Sequence, residues 1–143
     1  MMQTDFRSQC PIASALDLFG DRWSLVVLRT IFAGAHRFGE LAAASERIST
    51  NILADRLERL EAFGLIEKRL YQQAPERHEY RLTRRGADLL PVLQALARWG
   101  VAHIPERWQL PPWFADGRPE HFYPENLPSD ASRTGSAPSG SSA

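Results

Sequence analysis

The sequence predicts a mainly α-helical fold carrying one small β-hairpin. Two observations lead there. Apolar residues recur at helical spacing along successive segments between Pro11 and His103, and two β-prone stretches, Leu65 to Tyr71 and His78 to Thr83, flank a polar loop containing Pro75. With 143 residues, the chain can bury one substantial core but not two ordinary ones.

The first helix is expected over Pro11 to Phe19, with Ile12, Leu16 and Phe19 on one face and Gly20 as its stop. Asp21 is a good N-cap for a second helix, Arg22 to Phe32, apolar on most sides and therefore buried. After Ala33-Gly34-Ala35, the short stretch His36-Arg37-Phe38 reads as a bridge or strand stub, followed by a helix from Gly39 to Ala44. Ser45 to Ile48 form a tight turn. Ser49 then caps a longer helix that runs to Phe63 and closes at Gly64, with Leu53, Leu57 and Leu60 as its buried stripe. The hairpin follows, and Thr83 caps a last helix, Arg84 to His103, that Pro91 is expected to kink or break.

Residues 1–103 therefore form the predicted domain. Prolines recur through 104–128, so regular structure is not expected there, although Trp108, Trp113, Phe114, Phe122 and Tyr123 equip the segment to pack on a surface. The Ser, Gly, Ala and Pro of 129–143 cannot bury enough apolar area to order, which predicts a disordered tail.

Composition excludes several functions. No apolar run reaches membrane length, and the N-terminus shows no secretory pattern, so the chain is expected in the cytoplasm and off the membrane. The single cysteine and four scattered histidines give no metal-ligand motif, so no metal and no cofactor are expected. No nucleophile stands with a paired base, no carboxylate pair sits in a catalytic frame, and no glycine loop cradles phosphate, which argues against an enzyme. The formal net charge is zero, but it is unevenly spread: 37–85 carries ten basic against eight acidic residues, and 105–143 three against five. That asymmetry is weak evidence for a nucleic-acid surface.

The order of elements says more than the charge. Two helices joined by a tight turn, directly before a two-stranded wing, make a winged helix-turn-helix, whose second helix suits the major groove of double-stranded DNA. Projected at 100° per residue, the helix after Ser49 puts Leu53, Leu57 and Leu60 together and turns Asn51, Asp55, Glu58 and Arg59 outward, with Thr50 and Ala54 on the flank. Asn51 can pair with an adenine edge, Ser49 and Thr50 can bond phosphate or base, and Arg59 can reach phosphate or guanine. Arg56, at the rim of the stripe, can hold a phosphate or a neighbouring carboxylate, while Asp55 and Arg59 stand as i,i+4 partners. On and beside the hairpin, Lys68, Arg69, Arg77, His78, Arg81 and Arg84-Arg85 form a candidate phosphate grip. Any solvated amphipathic helix shows polar residues opposite leucines, and Asp55 and Glu58 repel phosphate, so a winged helix that binds a protein or small molecule is the alternative.

A set of motifs then narrows the choice. Cys10-Pro11, Gly20-Asp21-Arg22-Trp23, Arg37-Phe38-Gly39-Glu40-Leu41, Ile48-Ser49, Leu53, Arg56-Leu57, Leu60-Glu61, Gly64-Leu65-Ile66, Tyr80, Leu82-Thr83 and Gly86 together resemble the HxlR-type transcriptional regulators, related to the MarR group. The similarity runs from Cys10 to Gly100. It implies a sequence-specific DNA-binding regulator of transcription that dimerises through its terminal helices and places two recognition helices in successive major grooves. Ile12, Leu16 and Phe19, with Leu89 to Trp99, are the interface candidates, although the same stripes can equally close the core of one copy. The resemblance also implies a small-molecule or oxidant effector, and Cys10 as a redox sensor. The chemistry permits it, since Cys10 at an N-cap with Pro11 following would set a thiolate beside unpaired amides; an inert cap is the plainer reading.

Overall fold

The computed structural model describes residues 5–127, so the tail expected to be disordered lies outside the described residues. Within them the chain divides into two compact units at the Thr83–Arg84 boundary.

The first unit holds α1 (Pro11–Phe19), α2 (Ser24–Phe32), α3 (Phe38–Ala42), α4 (Thr50–Ala62), β1 (Ile66–Gln73) and β2 (Glu76–Leu82). Its core is built from Val27, Leu28, Ile31 and Phe32 of α2, Leu41 of α3, Ile48 of the turn, and Leu53, Leu57 and Leu60 of α4, closed by Leu65, Ile66 and Leu82. α4 packs on α2, α3 and β1, which is why every third or fourth residue along it is a leucine.

Local chemistry sets the boundaries of α4. The Ser49 hydroxyl accepts from the Ile52 amide at 3.2 Å, satisfying one of the donors a helix start leaves open. At the other end Gly64 takes φ +75°, a conformation open to glycine without cost, and its amide bonds the Glu61 carbonyl. α2 begins two residues later than Asp21 suggests, because the Asp21 carboxylate reaches forward to the amides of both Trp23 and Ser24 and organises an extra turn ahead of the helix.

The strands pair antiparallel, from Ile66 opposite Leu82 to Gln73 opposite Glu76, with an irregularity between Leu70 and Gln72. The hairpin is longer and its tip tighter than expected: Gln72, Gln73, Glu76 and Arg77 join the ladder and only Ala74-Pro75 turn, through a cis peptide bond. Pairing, not propensity, holds these glutamines extended. Tyr71, at the irregularity, lies under the Arg37 guanidinium, 4.3 Å from its ring centroid. His36 forms no strand with the hairpin, and Phe38 already belongs to α3, but the segment is tied to β2: the Tyr80 amide donates to the His36 carbonyl at 2.7 Å, and the His36 ring Nδ1 lies 3.1 Å from the Tyr80 carbonyl. Thr83 sends its hydroxyl back to the Gly64 carbonyl at 2.5 Å, stitching the base of the hairpin.

The second unit holds α5 (Arg84–Ala87), α6 (Leu90–His103), α7 (Pro112–Ala115) and two short 3₁₀ turns, Pro119–Phe122 and Pro124–Asn126. The break expected near Pro91 falls at Asp88-Leu89, which leaves the proline in the first turn of α6, where a missing N–H costs nothing. Prolines act the same way further on. Pro112, Pro119 and Pro124 each open a helical turn, so 112–126 contains short regular structure where the sequence had suggested none. The extension is fastened by side chains of the preceding helices. The Gln94 amide donates to the carbonyls of Phe114 (2.8 Å) and Gly117 (2.9 Å), the Tyr123 hydroxyl donates to Asp88, and the Arg84 guanidinium lies over the Tyr123 ring.

Candidate nucleic-acid interface

α3, the turn at 43–49 and α4 form the helix-turn-helix. Leu53, Leu57 and Leu60 face inward, while Thr50, Asn51, Ala54, Asp55, Glu58 and Glu61 are exposed. The first turn of α4 is thus polar, small and open: Thr50 and Asn51 commit no side-chain hydrogen bond among the described residues, and Ser49 keeps its place as the cap. Arg59 is half-buried and forms no ion pair among the described residues.

Arg56 takes the second of its two options. Its Nε donates to the Asp21 carboxylate at 2.8 Å and its Nη1 to Asp55, so the guanidinium is forked between two carboxylates from different parts of the chain. The Arg56 and Asp21 side chains retain 20% and 21% of their exposure. Asp21 is itself gripped by the Ser24 hydroxyl and the Trp23 and Ser24 amides. Burial pushes the Asp21 carboxyl upward, but the hydrogen bonds from Ser24, Arg56 and the two amides together outweigh it and hold the group well below the usual carboxylate range. The i,i+4 partnership of Asp55 with Arg59 is not formed, because the Arg56 head lies nearer and is already oriented.

A group whose folded pKa is depressed contributes stability above its unfolded pKa and loses it as pH falls toward the folded value. Asp21→Asn keeps an acceptor for the Trp23 and Ser24 amides but removes the charge opposite Arg56. It is expected to cost about 1–2 kcal/mol at pH 7, with the gap to the parent chain narrowing as pH drops below ~4. Denaturant titrations at pH 7, 4 and 3 check this. The hydrogen bond from Arg29 likewise brings Glu46 down to about 2 against an opposing effect of burial, so this pair adds to the same acid limb.

The wing presents its cations unequally. Lys68 and Arg77 are exposed without an ion pair among the described residues. Arg69 is bonded to Glu67 through its Nε at 2.7 Å, and His78 lies 3.4 Å from Glu76. Arg81, counted with the grip on sequence grounds, is buried: it shares one face of β2 with Glu79 and bonds it at 2.9 Å. Alternation along the strand puts Glu79 and Arg81 on one face, opposite to 80 and 82, which is why the two can pair. One cation escaped the sequence reading. Arg47, with φ +56° in the turn two residues before the Ser49 cap, is exposed and carries no ion pair among the described residues; the signal available was its place beside a helix N-terminus.

The profile of the HxlR-like helix-turn-helix family matches residues 18–108, which spans both the helix-turn-helix and the hairpin. The chain belongs to the HxlR-like helix-turn-helix family. Among relatives of this HxlR-like protein, an HTH-type transcriptional regulator of Mycobacterium tuberculosis is 43% identical over 94 residues, 66% of this chain and 59% of the relative. The chain therefore spans somewhat less than two thirds of that relative's length. Among solved structures, a MarR-family protein from Porphyromonas gingivalis superposes with a TM-score of 0.61 at 31% identity, covering 73% of this chain and all of the other. The reduced form of the redox regulator HypR superposes with a TM-score of 0.59 at 30% identity over 66% of this chain and 94% of its own. The fold is accordingly the winged helix of MarR-like regulators, and the hairpin β1-β2 is the wing. No helix among the described residues is long and apolar enough to cross a membrane.

Proposed function

We propose that this HxlR-like chain is a dimeric, sequence-specific DNA-binding regulator of transcription that acts in the cytoplasm. One observation carries the reading: the open first turn of α4, with uncommitted Thr50 and Asn51, lies in the chain between Arg47 and a wing bearing Lys68 and Arg77, three cations without an ion pair among the described residues. In this reading Thr50, Asn51 and Arg59 contact bases in the major groove, Ser49 supports them as the cap, and Arg47, Lys68, Arg77 and His78 hold phosphates. Arg69 joins them to the extent that Glu67 releases it. Domain 1–103 does this work, and 104–128 is an accessory of the last helices.

Dimerisation is supported by apolar faces left uncovered in the single chain. Ile12 of α1 is 72% exposed, and Trp99 of α6 is 60% exposed, with Leu16, Val92 and Leu96 also open. A dimer predicts a two-fold symmetric site with half-sites ~34 Å apart. Electrophoretic retardation of DNA from upstream of the protein's own coding sequence, at two salt concentrations, tests the reading. A complex that weakens with salt supports it; no complex at the lower salt overturns it and leaves a protein or small-molecule partner for the same surface.

Cys10 is the sensor in this proposal. It is exposed at the N-cap of α1, and its side chain makes no capping bond. The neighbour HypR, named a redox regulator, has been solved in reduced and oxidised forms. As this chain has one cysteine, oxidation must end in an intersubunit disulfide, a mixed disulfide with a small thiol, or an adduct. Intact mass and DNA affinity after mild oxidant are expected to change together in the parent chain, and neither in Cys10→Ser. An unmodified Cys10 with unchanged affinity removes the sensing role.

A further inference from the structure

Asp55 stands in the wrong place for a helix that approaches a polyanion, and its surroundings explain why it can stay there. Its side chain is 55% exposed on the outward face of α4, one turn beyond Asn51. One carboxylate oxygen, Oδ2, accepts from Arg56 Nη1, and Oδ1 accepts no hydrogen bond among the described residues. Arg56 cannot follow a passing phosphate, because its Nε is held by Asp21, which is anchored in turn on the amides of Trp23 and Ser24. The result is a fixed relay from the start of α2 to the face of α4. It orients Asp55 and offsets part of its charge, one guanidinium standing between two carboxylates, and it leaves Oδ1 of the exposed side chain without a hydrogen bond among the described residues.

We infer that Asp55, positioned by Arg56, is a specificity-determining residue that selects cytosine at one position of each half-site. Ionised carboxylates only accept hydrogen bonds, and the major groove offers two exocyclic donors, the N4 amino group of cytosine and the N6 amino group of adenine. Adenine sets the N7 acceptor beside its donor, and two acceptors facing each other repel. Cytosine has no such neighbour on its own edge. Guanine and thymine present acceptors and a methyl group, so they are disfavoured as well. Arg56, shared with Asp21, offsets only part of the negative charge that Asp55 brings near phosphates, so the wing cations must supply the affinity. Asp55 thus discriminates more than it attracts.

The inference rests on the major-groove reading above, and the test separates the two. Duplexes are selected from a random pool with the full chain, and with Asp55→Ala, Asp55→Asn and Arg56→Lys, each checked for parental thermal melting. The parent chain is expected to recover a site with cytosine at one position per half-site. Asp55→Ala should make that position degenerate, with roughly ten-fold loss of discrimination, while the remaining positions and the wing-dependent affinity persist. Asp55→Asn, nearly isosteric, should move the preference toward adenine, whose N6 and N7 an amide can engage together. Arg56→Lys, which cannot fork between two carboxylates, should weaken the cytosine preference selectively; a merely structural Arg56 would lower affinity at every position alike. A site whose cytosines survive both Asp55 substitutions overturns the inference and leaves the groove reading standing. A parent chain that enriches no sequence overturns the groove reading, and the inference with it.

Discussion

Leu57→Ala is expected to lower the unfolding free energy by roughly 2–5 kcal/mol, a large share of the stability of a small protein. Leu57 is fully buried at the middle of the α4 stripe, between Leu53 and Leu60, where α4 meets α2 and α3. Neighbours on regular helices cannot collapse into the space a deleted isobutyl group leaves, so a cavity term adds to the lost transfer free energy. Thermal and denaturant unfolding check the figure; the midpoint should fall without change in the denaturant slope. Leu57→Met, which conserves volume, should cost less than ~1.5 kcal/mol. A Leu57→Ala variant as stable as the parent would mean that α4 is not seated on the core as described.

Asn51→Ala is expected to weaken binding to a cognate duplex by about 10- to 100-fold while hardly touching stability, since Asn51 is exposed and commits no side-chain bond among the described residues. The loss should fall on one base position per half-site, and affinity for unrelated DNA should be unchanged. Arg77→Ala supplies the contrast. Removing a wing cation should weaken cognate and unrelated duplexes together and flatten the dependence of log K on log salt by about one unit for each phosphate no longer neutralised. The two variants therefore separate reading from gripping. Equal, sequence-independent losses in both would place Asn51 on the backbone and not on a base edge.

How much of this was legible beforehand depended on how local the cause was. α4 could be bounded from the sequence because both of its ends are set by adjacent chemistry, the Ser49 hydroxyl and the left-handed Gly64. The hairpin tip could not, because Gln72 and Gln73 have little strand propensity and are extended by cross-strand pairing with Arg77 and Glu76. Within the site, outward-facing Thr50 and Asn51 follow from helical periodicity alone. The engagement of Arg56 with Asp21 spans 35 residues and needs the packing of α4 against α2 before it exists. Arg81 was the more avoidable error, since its two-residue spacing from Glu79 already put both on one face of β2. Pro112, Pro119 and Pro124 misled because each opens a helical turn, where proline favours helical geometry, and because the fastening groups, Gln94 and Asp88, lie far back in the chain.

With a formal net charge of zero, general attraction to DNA is expected to be weak, so the proposed reading assigns the discrimination to the side chains of α4. Fluorescence anisotropy of a selected duplex and of its scrambled counterpart, titrated with the full chain at two salt concentrations, tests this most directly. The expected result is a preference for the selected duplex of roughly 10³-fold or more, with both affinities falling as salt rises. Equal affinity for the two duplexes, or no binding to either, would contradict it.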